Sequence, residues 1–157
     1  MKTISLLQPW ASLVAIGAKK IETRSWHTSY RGPLAIHASK ALPYKNHDLI
    51  YREPFWTAFK SEAIDKGSAL LPTGAVIATC KLVDCIKIIG RTSIAGKIVA
   101  TRLLDRQEIE GNELAFGDYT PGRYAWILED VRQLPEPIPA TGKQRLWEWE
   151  VPEGLRL

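Results

Sequence analysis

The hydrophobic positions of the chain fall into short runs whose period changes repeatedly, and each change marks an expected element. Lys2 to Leu7 alternates weakly and is apolar enough for a short buried strand. Gln8-Pro9-Trp10 breaks it. Trp10, Leu13, Val14 and Ile16 then recur at helical spacing as far as Gly17, so Pro9 suits a helix start and Gly17 its stop. Residues 20 to 26 read as a strand whose two-residue period puts Lys20, Glu22, Arg24 and Trp26 on one face. Ile21 and Thr23 take the other face, and Lys19 stands at the strand's mouth.

Leu34 to Ser39 is a second strand, with Leu34, Ile36 and Ala38 on one side and Ala35, His37 and Ser39 on the other. From Asn46 to Lys66 the spacing turns helical, with Ile50, Phe55, Phe59 and Ile64 inward and Pro54 as a break. Phe55, Trp56 and Phe59 are expected as core contacts. Ala75 to Ile89 is a β-branched run interrupted by Asp84 and Lys87, as in a strand with a bulge. Between Arg91 and Glu113, Ile98, Thr101, Arg102 and Leu104 suggest a short helix, while Gly90, Gly96 and Gly111 suggest loops. Pro121-Gly122 fits a type II turn ahead of an aromatic strand from Tyr124 to Leu128. Pro135 to Pro139 reads as an extended connection, and Leu146 to Val151 alternates as a final strand with Trp147 and Trp149 on one face.

Five or six short strands, two helical insertions and no βαβ rhythm or internal repeat predict an α+β fold: a small, mostly antiparallel β-barrel with flanking α-helices. At 157 residues, with no linker long enough to separate two cores, the whole span 1–157 is expected to be one domain. Apolar residues make up 45% and charged residues 24%, the composition of an ordinary globular protein and not of a disordered one. No apolar run approaches a membrane span and no secretory leader is visible, so a cytoplasmic protein is expected. Cys80 and Cys85 are expected as free thiols, and no histidine is spaced to complete a zinc site with them, so neither metal nor cofactor is expected.

The formal charge of +4 fits an anionic partner such as nucleic acid. Lys19, Lys20, Arg24, Arg31 and Lys40 are candidates for phosphates, and Trp26 and Tyr119 for stacking on an unpaired base. His37 and Ser39, with Lys40 beside them, form a second candidate group, and the turn after Gly117 presents Asp118, Tyr119 and Arg123 together. Two readings follow. One is a binding domain for RNA or a modified nucleoside. The other is a hydrolase of a nucleoside amide or an RNA phosphodiester, with Glu22 as general base and Lys19 or Arg24 steadying the anionic transition state. Its covalent version activates Thr23 or Ser39 with a neutral Lys19. Lys19, Glu22 and Arg24 are thus the candidate catalytic residues.

Gln8-Pro9-Trp10-Ala11-Ser12-Leu13, Gly17-x-Lys19-x-x-Glu22-x-Arg24, Arg31-Gly32-Pro33-Leu34-Ala35-Ile36-His37-Ala38 and Gly122-Arg123-Tyr124-Ala125-Trp126 together resemble the ASCH domain, named for activating signal cointegrator homology and part of the PUA-like group. The resemblance spans about residues 3 to 150 and implies a β-barrel with helices around it and the signature motif lining a basic cleft. It also implies association with RNA or other nucleic acids. Some bacterial relatives hydrolyse the amide of an acetylated cytidine with a threonine and a lysine from the equivalent stretch and a glutamate from elsewhere. Here the lysine matches Lys19, but Glu22 stands where that threonine would be, and Thr23 is one residue along on the opposite face. The sequence does not choose among Glu108, Glu110 and Glu113 for the glutamate.

Overall fold

The computed structural model describes residues 1–66 and 71–155, with the side chains of Tyr44 and of residues 63–66 left aside. Its strands are β1 (Lys2–Leu6), β2 (Ile21–Arg24), β3 (Gly32–Ala38), β4 (Ala75–Ile94), β5 (Lys97–Leu103), β6 (Glu108–Glu110), β7 (Tyr124–Pro139) and β8 (Leu146–Glu148). Its α-helices are α1 (Trp10–Ala15), α2 (Tyr44–His47), α3 (Phe55–Lys66) and α4 (Gly111–Ala115), and a single 3-10 turn covers Asp48–Tyr51. The pairing order is β2-β7-β4-β3-β1-β8, with β5 on β4 and β6 on β5.

The strand-rich α+β class is as expected, but the barrel is corrected. The pairing order of the described strands has free ends at β2 and β8 instead of closing. The sheet is mostly antiparallel, as expected, with β1–β8, β2–β7, β4–β5 and β5–β6 all antiparallel, but β1 and β3 run parallel, with Thr3 opposite Ala35 and Leu6 opposite Ala38. The reason is visible in β3, where Leu34 to Ala38 are all buried. A strand covered on both faces reads as a continuous apolar run, the pattern of a parallel pair.

The chain gathers into two compact units: Met1–Ala18, Pro33–Lys81 and Asp130–Leu157 form one, Lys19–Gly32 and Leu82–Glu129 the other. In the first, β1 lies between β3 and the antiparallel β8, whose Trp147 stands opposite Thr3. Ala35, Val76, Leu134, Trp147 and Trp149 pack a common core there. The helix α1 is followed by Gly17 at a φ of +76°, a left-handed turn that glycine adopts without steric penalty and that ends the helix where the sequence placed its stop. Pro54 separates the 3-10 turn from α3, and Ile50, Phe55 and Phe59 are buried as expected. Trp56 is instead 44% exposed, and the inward placement expected of Ile64 lies outside the described side chains.

In the second unit β2 pairs antiparallel with β7, and Ile21, Ile86, Ile88, Leu103, Ile109, Tyr119 and Ala125 form the core. The short helix expected around Ile98 to Leu104 is a strand. β5 pairs antiparallel with the far half of β4, which runs on to Ile94, and a register shift between Ile88 and Gly90 supplies the expected bulge. Cross-strand pairing and burial of Ala100 and Leu103 here override the helical spacing that the same residues happen to show. Thr120 to Arg123 closes as a type II turn: Arg123 N–H donates to Thr120 O at 3.1 Å and Gly122 takes a φ of +95°.

Candidate functional site

The signature stretch occupies the second unit. β2 is only four residues long, and its alternating burial turns Ile21 and Thr23 into the core while Glu22 and Arg24 leave the opposite face half-buried. Lys20 does not join them as the strand period suggested. It is exposed, because the strand begins after it, and its backbone N–H donates to Glu113 Oε2 at 3.0 Å. Lys19 reaches Glu22 instead. Its Nζ lies 3.6 Å from Glu22 Oε2 and also donates to Ile21 O, with the side chain 1% exposed. Glu22 Oε1 stands 3.0 Å from Arg24 Nε. One carboxylate therefore holds two cations, and an interior ammonium is tolerable only with such a partner.

Trp126 of β7 pairs directly with Glu22 across the ladder, so both side chains leave on one face. It is fully buried, and its indole Nε1 has no hydrogen-bond partner among the described residues. Its ring meets Trp26 edge to face, with centroids 4.7 Å apart. Trp26 is thus half-buried against a second indole, where the sequence had suggested an open stacking plate.

The neighbouring loop is organised around Thr23. Asp118 N–H donates to its Oγ1 at 3.1 Å, Arg123 donates to its carbonyl at 3.3 Å, and Arg123 Nε donates to Asp118 O at 3.0 Å. Hydrogen bonds from Thr120 to its own carboxylate, aided by Arg123 and Arg91, hold Asp118 below the usual carboxylate range. A Cβ on Gly117 would lie 3.2 Å from Thr23 Cγ2, so the loop backbone approaches this strand closely. Tyr119 is not presented for stacking: it is 2% exposed within the core on the Thr23 side, and burial together with the charges of Glu113 and Glu22 raises its pKa. Thr23 is turned onto the face opposite Glu22.

Of the three glutamates the sequence left open, the structure brings Glu113 to the motif. Its carboxylate accepts from the N–H groups of Lys20 and Ile21, with Oε1 3.0 Å from Ile21 N. It anchors the entry of β2 from α4. Glu108 pairs instead with Arg102 at 3.2 Å on an exposed ladder, and Glu110 is exposed. Arg31 belongs to the same unit but is held by Asp84 at 2.8 Å and by the carbonyls of Thr28 and Tyr30.

His37, Ser39 and Lys40 lie in the first unit. His37 is buried; its Nε2 is 3.0 Å from Ala140 O and its Nδ1 is 3.1 Å from Ser5 Oγ. A carbonyl only accepts, so Nε2 carries the proton and Nδ1 is the acceptor. Burial pulls the imidazole's pKa down, against the opposing pull of Ala140. This is a satisfied structural histidine. Ser39 Oγ accepts weakly from Ala41 N at 3.4 Å, and Lys40 is exposed beside Gly74. Among the described residues no group of three or more His, Cys, Asp or Glu side chains is placed to hold a metal ion, and no helix is long and apolar enough to cross a membrane.

Comparison with known proteins decides the family, because the model of the ASCH domain matches residues 4–153. The chain belongs to the ASCH domain family. It is 30% identical over 145 residues to activating signal cointegrator 1 of Mus musculus and, at the same identity, to that of Homo sapiens. The match covers 92% of this chain but 22% of each relative, so the ASCH domain spans about a fifth of the length of the curated relatives it matches. The Gly17-x-Lys19-x-x-Glu22-x-Arg24 stretch is inside the matched span, and the residues that the sequence reading missed, Trp126 and the anchoring role of Glu113, are inside it too. Trp126 had a visible signal: it sits on an aromatic strand that had to pair with something, but register is not readable from one strand alone.

Proposed function

We propose that this ASCH domain binds RNA or a modified nucleoside through the face bearing Lys19, Glu22 and Arg24, and that this face lines a basic cleft. The observation that carries the reading is the buried Lys19 ammonium. A cation 1% exposed and shared with Arg24 on one carboxylate is an expensive arrangement for stability alone, since two well-packed apolar residues would do as well or better. Such a charge makes sense where a polar, partly anionic guest uses it. Lys20, exposed next to it, extends the positive surface toward a phosphate backbone. Membership of the family and the basic balance of the chain point the same way.

The test is binding of a fluorescently labelled single-stranded RNA hexamer containing all four bases, followed by anisotropy. Affinity should fall as salt rises and should drop in Arg24→Ala and in Lys20→Ala. Undiminished affinity in both variants rejects the reading.

A further inference from the structure

We infer that the indole N–H of Trp126 and the carboxylate of Glu22 together read the pairing edge of a single unpaired base. The inference rests on the nucleic-acid reading and narrows it to one class of guest. Trp126 and Glu22 are cross-strand partners on one face of the β2–β7 ladder. The indole nitrogen can only donate, and it is fully buried with no acceptor among the described residues. Buried indole N–H groups nearly always find an acceptor, so a deeply buried orphan calls for one. Glu22 can only accept when ionised, and Lys19 and Arg24 fix its two oxygens from either side.

The pair therefore offers a donor beside an acceptor. The pairing edge of every nucleobase is the complement, an N–H or amino group next to a carbonyl or ring nitrogen. A phosphate is not: it has acceptors only, and its charge would meet that of Glu22. In a duplex the edge is already taken by the partner base. The edge must also enter the protein interior to reach Trp126, which an unstacked base can do and a paired one cannot. Trp26, edge-on to Trp126, forms part of the aromatic lining of the same face.

The experiment follows the six indole N–H resonances, one per tryptophan, and the backbone amides in nitrogen-15 NMR of the full chain. Trp126→Phe identifies the Trp126 signal by its disappearance. Titration with the mixed RNA hexamer should shift the Trp126 indole together with the amides of residues 19–24, and a blunt RNA duplex of the same composition should leave the indole in place. Trp126→Phe should bind the hexamer about ten-fold more weakly. Movement of the amides with an unmoved indole overturns this inference and leaves the binding reading intact. Movement of the indole by the duplex overturns the requirement for an unpaired base. No movement of either group with the hexamer overturns both.

Discussion

Glu22 is the shared counter-ion of Lys19 and Arg24, but only Lys19 depends on it entirely: the Lys19 side chain is 1% exposed, whereas that of Arg24 is 23% exposed. The two partners should therefore respond unequally. Glu22→Gln strands a buried ammonium and should cost about 3 kcal/mol of unfolding free energy. Lys19→Met removes the interior charge, keeps an unbranched stem and leaves Glu22 paired with Arg24, so its cost should be about 1 kcal/mol or less. Urea denaturation of the two variants measures the asymmetry. Equal losses would mean that the ammonium is better solvated than its burial implies.

That asymmetry also shows what the sequence could convey. The motif's spacing identified the participating residues, and the alternation rule assigned Glu22 and Thr23 to opposite faces, as the structure has them. The rule failed for Lys20 because it presumed a strand beginning at residue 20. The strand starts at Ile21, where Glu113 accepts the N–H groups of Lys20 and Ile21, a partner 92 residues away from Ile21 that no local pattern contains. The open order of the sheet and the parallel β1–β3 pair were hidden for the same reason: pairing is a long-range choice. The continuous burial of β3 was nevertheless written in Leu34-Ala35-Ile36, which is apolar on both faces.

His37 makes stability depend on pH. Its pKa in the folded protein lies below the ordinary histidine value of 6.5, so between those two values the unfolded chain binds more protons than the folded one. Stability is then fully present above about pH 6.5 and declines as pH falls through that window toward the folded pKa. The urea midpoint of the wild type should drop more steeply from pH 7 to pH 5 than that of His37→Gln. Parallel profiles would contradict the assignment of a neutral, Nε2-protonated imidazole.

Gly142 packs its backbone directly over the same histidine. A Cβ there would contact His37 Cε1, lie 2.8 Å from Nδ1 and 2.9 Å from Ser5 Oγ. All three atoms belong to side chains that hydrogen bonds hold in place, His37 by Ala140 and Ser5, and Ser5 by Trp147. Gly142→Ala should cost about 1–3 kcal/mol by forcing these groups apart, measured by thermal or urea unfolding. A neutral substitution would show that the segment yields without disturbing the His37–Ser5 pair.

Both cysteines are free and buried. Burial pushes the Cys80 thiol up to about 12, and burial is also the main cause raising Cys85. Neither should form appreciable thiolate at neutral pH, so native protein should react with iodoacetamide far more slowly than denatured protein at both positions. Mass spectrometry of alkylated peptides resolves the two sites. Rapid native labelling of Cys80 would contradict its burial.

On the proposed reading, the interior cation at Lys19 serves a bound guest. The affinity of Lys19→Met for the single-stranded RNA hexamer at fixed salt tests this, with unfolding of the same sample confirming a native fold. The expected result is a stably folded variant that binds at least ten-fold more weakly than the wild type. A folded Lys19→Met with wild-type affinity would contradict it.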